Sequence, residues 1–135
     1  MSCTLQLQVE NAITHELERR QTVTHTKEEI MAQAMCQAIA IKNNNAGWVY
    51  AVRRQCSSAT ASCTRICASS YLHVQDSQTV HRTWSTIGAF HVYQGRPAST
   101  PGTDTNPVMG LKTYWSSNYH TGGGCGPNFC CCHAR

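Results

Sequence analysis

Gly122-Gly123-Gly124-Cys125-Gly126-Pro127-Asn128-Phe129-Cys130-Cys131-Cys132-His133 runs almost to the end of the chain and carries four of its nine cysteines. Successive side chains in an extended segment point to opposite faces. Cys130 and Cys132 would therefore face one way, and Phe129 and Cys131 the other. Such a run is either a disulfide knot that ties the C-terminus to two layers of structure, or a metal site completed by His133. The choice fixes the redox compartment, and with it the range of functions.

The other cysteines favour the knot. A zinc site wants recurrent pairs such as C-x2-C with a matching second pair. Here the order is Cys56, Cys63 and Cys67, then a long gap to Cys125, Cys130, Cys131 and Cys132, and no pair of pairs emerges. Charged residues make up only 13% of the chain, well below the usual share. Ser, Thr, Asn, Gln and His must supply the polar surface, a composition common in secreted proteins, where disulfides persist. We therefore expect disulfides among Cys56, Cys63, Cys67, Cys125, Cys130, Cys131 and Cys132, no metal and no cofactor. The terminal run then acts as a clasp that fastens the last strand to the first half of the cysteine-rich region and leaves the loops between them free to bind.

Nine cysteines cannot all pair within one chain. Cys3, near the terminus, is the candidate for an intermolecular disulfide. Cys36 is the alternative odd thiol, and reads equally well as a small buried hydrophobe on a helix. The first residues are too polar for a secretory signal, so a secreted protein would be represented here in its mature form. No apolar run approaches the ~20 residues of a membrane span, and no N-x-S/T sequon is present.

Charge divides the chain. Glu10, Glu16, Glu18, Glu28 and Glu29 precede residue 30, and only Asp76 and Asp104 follow, against seven bases from residue 46 onward. Residues 1–45 read as a helical arm. Leu5, Val9, Ile13 and Leu17 recur at i+4 with Ala12 beside them, although Leu5, Leu7 and Val9 also alternate as a short strand would. Thr26-Lys27-Glu28-Glu29 has capping-box form. Ile30, Met31, Ala34, Met35, Ala38 and Ile39 then line a helix that Asn43-Asn44-Asn45-Ala46-Gly47 stops. The weak helix formers Gln21 to His25 leave open whether the arm is one helix or two. The arm must bury its stripe against the rest of the chain or against another copy. Its heptads are too irregular for a long coiled coil.

Residues 46–135 read as a cysteine-rich, β-rich head. Strands are expected at Trp48 to Val52, Thr64 to His73, His81 to Tyr93, Met109 to Trp115 and Phe129 to Cys132. Long loops of turn formers span 96–107 and 116–126. Loops of that length are commonly functional or pinned by disulfides. The predicted fold class is α+β: an N-terminal helical segment of one or two helices, then a disulfide-stapled, mostly antiparallel head.

Little in the head suggests catalysis. There is no G-x-S-x-G elbow. A carboxylate pair would have to be Asp76 with Asp104, the latter in a loop of Pro and Gly. Cys67 with His91 is a formal nucleophile pair, but such pairs are set in space rather than in sequence. Calcium wants several carboxylates that the head lacks. His120, Cys125, Cys130 and His133 could hold zinc or copper, yet the histidines read better as hydrogen-bonding residues. The glycine run lacks the Lys-Ser/Thr of a phosphate loop. Bases are scattered singly apart from Arg53-Arg54, which argues against nucleic acid.

The aromatics are more suggestive. Trp and Tyr combine an apolar face with a polar tip. Trp48 and Trp84 are expected in the core. Tyr114, Trp115, Tyr119 and His120, facing Asp104 and Asn106 of the preceding loop, form the candidate ligand-binding surface. The expectation is a secreted, non-enzymatic, lectin-like protein that recognises glycans without calcium and acts as a homo-oligomer. Its partners would be glycans or anionic extracellular polymers. The alternatives are a disulfide-cross-linked matrix, egg-coat or mucus protein, and a basic defence protein or toxin.

Overall fold

Thr26 starts the first helix as its capping box predicts. Its hydroxyl accepts from Glu29 N (3.2 Å) while its own N–H donates to Glu29 Oε1 (3.0 Å). This computed structural model describes residues 24–96 and 108–135. Cys3 and the Leu5 to Leu17 stripe lie outside the described residues, as do Asp104 and Asn106. Helix α1 spans Lys27–Lys42. The asparagine-glycine stop follows it, with Asn44 at φ 56° and Gly47 at φ 124°. Gly47 is required twice over, since a Cβ there would also run into the Ala134 carbonyl.

The chain then builds one four-stranded sheet from β1 (Trp48–Arg53), β2 (Trp84–Arg96), β3 (Val108–Thr113) and β4 (Phe129–Ala134). The strand order is β1-β4-β2-β3, and every neighbouring pair is antiparallel. The last strand in sequence is thus central in space, and all six of its residues are buried.

β4 is buried on both faces because each face meets a helix. Phe129 and Cys131 pack into one core with Ala32 and Cys36 of α1, together with Phe90 and Val92. Cys130 and Cys132 pack into another with Cys63, Cys67 and Ala89. The alternation expected of the triple cysteine therefore holds, and disulfides bolt both sides. Cys131 bonds Cys36, while Cys130 and Cys132 bond Cys63 and Cys67. A fourth bridge, Cys56–Cys125, closes the loop leading into β4.

The structure corrects several expectations. Cys36 is neither the odd thiol nor a free buried hydrophobe, because it is bonded to Cys131. The segment from Thr64 to His73 is not a strand but parts of two short helices, α2 (Cys63–Cys67) and α3 (Ser70–His73). Its β-branched residues suit a strand locally, but tertiary context decides. Ser62 caps α2, accepting from Arg65 N at 3.2 Å. The geometry of the bridges explains why a helix fits. Residues i and i+4 on a helix are about 6 Å apart along its axis, and i and i+2 on a strand about 6.6 Å. Cys63 and Cys67 therefore match Cys130 and Cys132 as two rungs of one ladder. The strand expected from His81 begins instead at Trp84.

Space for the α1 bridge comes from Gly88, which lies opposite Cys131 in the register. A Cβ at Gly88 would sit 3.0 Å from Ile39 Cδ1 and 3.2 Å from Cys131 Sγ. The register shifts between Thr86 and Gly88, and Ile87 packs in the α1 core with its neighbours. The outer edge of β1 is occupied by Gln33 of α1. Its amide donates to Val49 O (2.9 Å) and accepts from Ala51 N (2.8 Å), as the peptide group of another strand would.

Arg54, immediately after β1, is only 2% exposed. Its guanidinium donates to the carbonyls of Ala61, Cys125, Pro127 and Gly123. The glycine-rich run thus folds around a buried arginine, with Cys56–Cys125 closing it from outside.

Candidate functional site

β3 ends at Thr113, and Tyr114 N donates to Ala89 O (3.0 Å), which holds the chain against β2. A 3-10 helix, Ser116–His120, follows directly. This tight turn throws Trp115 outward, where it is 84% exposed. Tyr114 and Tyr119 point the other way and pack against the α2 core. Lys112 Nζ lies 4.9 Å from the Tyr114 ring centre. Burial pushes the Tyr119 phenol above its usual pKa, so it stays protonated and able to donate.

Thr64 of α2 secures the far end of this segment. Its hydroxyl donates to Tyr119 O (3.0 Å) and lies 3.1 Å from His120 Nδ1. His120 is exposed, and its imidazole has a second ring nitrogen, Nε2, besides the one held by Thr64.

Four of the six residues expected at the site are therefore brought together: Tyr114, Trp115, Tyr119 and His120. They border two clefts that share Tyr119. One, of about 490 Å³, is lined by the hydroxyls of Thr64, Ser85, Thr86, Ser116 and Ser117 with His120. The other, of about 370 Å³, lies between Trp115, Tyr114 and the C-terminal end of α1 at Ile39, Lys42 and Asn43. Sequence reasoning missed Thr64, Ser85, Thr86, Lys42 and Asn43. Thr64 was hidden by the strand assigned to its segment. Lys42 and Asn43 belong to a helix that its core packing on the sheet, together with the Cys36–Cys131 bond, brings here.

The same geometry takes the thiols out of two of the expected constellations. Cys67 is bonded to Cys132, so the formal pair with His91 has no thiol. His91 Nδ1 instead contacts Gly126 O (2.6 Å). His133 is buried against Ala46 O (2.6 Å), and both Cys125 and Cys130 are in disulfides. Among the described residues no group of three or more His, Cys, Asp or Glu could hold a metal ion. No described helix is long and apolar enough to cross a membrane. Trp84 packs against the α2 core as expected. Trp48 belongs to neither core, and is half-buried beneath the Arg82 guanidinium, 4.8 Å from the ring centre.

Comparison of the chain with protein-family models, curated proteins and solved structures finds no match.

Proposed function

We propose that this is an extracellular, non-enzymatic binding protein that recognises glycans, without calcium, on the face formed by Tyr114, Trp115, Tyr119 and His120. The observation that carries this reading is the near-complete exposure of Trp115 beside a cleft lined by hydroxyls. An exposed indole costs solvation and suits the apolar face of a sugar ring. Threonine and serine hydroxyls, a tyrosine phenol and an imidazole supply the complementary polar contacts. Four disulfides support an oxidising compartment. A glycan array probed with the full chain in EDTA should give hits. Trp115→Ala should reduce them at least tenfold. No hits, or binding lost in EDTA and restored by calcium, would contradict the reading.

We further propose that the protein acts as a homodimer. Eight of the nine cysteines pair internally, which leaves Cys3 without a partner in its own chain. One thiol per chain joins two copies and then stops, so this parity favours a dimer over a cross-linked matrix. α1 supports the same reading. Cys36, Ala32 and Ala40 face the sheet, while Ile30 (61% exposed), Ala34, Ala38 and Ile41 (77% exposed) line the opposite side. An exposed apolar stripe opposite the buried face of a helix suits a covering surface. An antiparallel second copy would set Ile30 against Ile41 across the small alanines. Weak sugar contacts gain strength when two sites act together.

A further inference from the structure

We propose that a second cleft, walled by Trp48 and Tyr50 and rimmed by Asp76, binds a saccharide ring. It shares the chemical class of ligand proposed above but uses none of the same residues. Tyr50 lies opposite Cys132 in the register, so its side chain is on the sheet face that carries α2. β1 and β3 are the two edges of the sheet. This cleft therefore sits at the β1 edge, and the Trp115 surface follows the β3 edge.

The aromatic walls are held in place before any ligand arrives. Tyr50 stacks on Trp84 (5.5 Å, 24°), and Trp84 stacks on His73 (4.3 Å, 12°). The Trp84 indole N–H donates to Thr79 O (3.0 Å), and His73 Nε2 is anchored at Cys67 O (2.7 Å). Trp48 is backed by Arg82, whose Nε donates to Gln78 O (3.0 Å). Rings fixed in this way lose little freedom on binding.

The polar rim is equally constrained. Asp76 Oδ1 accepts from Gln78 N (2.8 Å), and Asp76 O accepts from the backbone of Thr79 and Val80. That turn holds the carboxylate at the mouth of a cleft of about 490 Å³, beside Gln75 and Thr79, with Leu72 on the apolar side. Asp76 is the only acidic side chain among the described residues beyond residue 45. Burial holds the Tyr50 phenol above its usual pKa, a hydrogen bond with the Thr79 side chain works against that rise, and the Asp76 charge adds a smaller push upward. Asp76 is the one carboxylate lining the cleft, fewer than a simple divalent cation wants. An uncharged ring with several hydroxyls fits better. Its flat face would lie on Trp48 and Tyr50, and its hydroxyls would donate to Asp76 and exchange hydrogen bonds with Gln75.

The test is saturation-transfer NMR on the full chain with a panel of methyl pyranosides of glucose, galactose, mannose and N-acetylglucosamine. At least one should receive saturation. Asp76→Asn, which keeps the side-chain shape, should weaken its binding about tenfold, and Trp48→Ala at least as much. Trp115→Ala should leave this component intact. An intact-mass check for four disulfides confirms that each variant is folded. No saturation transfer to any pyranoside, or binding unchanged in Asp76→Asn, would overturn the proposal. If Trp115→Ala alone abolishes binding, the second site is refuted and the first stands. If Asp76→Asn and Trp48→Ala alone abolish it, the first is refuted and the second stands.

Discussion

Three positions carry constraints out of proportion to their size. Gly88 leaves the gap that Ile39 and the Cys36–Cys131 bridge fill. A valine there should cost roughly 1–3 kcal/mol through overpacking, read as a lower denaturation midpoint. Arg54 satisfies four carbonyls at once from a buried position. Lysine offers no planar fork, so Arg54→Lys should lose roughly 2–4 kcal/mol by leaving buried acceptors unpaired, and it should loosen the glycine-rich loop. Glu29 is held below its usual carboxylate pKa, first by the Thr26 backbone N–H and then by the Thr26 side chain. A depressed carboxylate contributes stability above its unfolded pKa and loses it as pH falls through the folded value. The start of α1 should therefore fray below about pH 4. Thr26→Ala should weaken the same turn at neutral pH, at a cost of about 1 kcal/mol for the lost cap. Amide exchange of residues 27–30 checks both.

Among the elements, β4 organises the others. Its side chains alternate between α1 and α2, so no single packing surface holds it. The partners of its three cysteines are all buried, while Cys56 and Cys125 at the loop are exposed. Graded reduction followed by thiol labelling should therefore open Cys56–Cys125 first and the buried bridges only on unfolding. If a β4 bridge opened first, the buried sandwich would be wrong. Much of this was legible in Phe129 to Cys132, because a period of two assigns faces from the order of residues alone. The α1 boundaries were legible in Thr26, Glu29 and the asparagine run. Thr64 to His73 was not, since threonine, isoleucine and tyrosine favour strands locally. The i+4 spacing of Cys63 and Cys67 was the available signal, and it acquires meaning only against the i+2 spacing of their partners. The candidate surface was half legible: consecutive aromatics after β3 announced it, but its Thr64, Ser85 and Lys42 contributions depend on long-range contacts.

Taken as one body, the chain is a sheet clamped between helices, with aromatic surface along both edges. The disulfides close loops of 65 to 95 residues. Each is worth roughly 2–5 kcal/mol when taken singly. Such closure lets a sparsely charged chain keep an exposed indole without collapsing around it. Cys3 should link two copies. Non-reducing electrophoresis should show a dimer that becomes a monomer in Cys3→Ser, with no higher ladder. All of this depends on adjacent cysteines bonding to opposite layers, and disulfide mapping examines that arrangement at its source. Stepwise reduction, cyanylation and cleavage, read by mass spectrometry, should assign Cys131 to Cys36, Cys130 to Cys63 and Cys132 to Cys67. Cys131 paired with Cys63 or Cys67, or a native chain with nine free thiols, would contradict it.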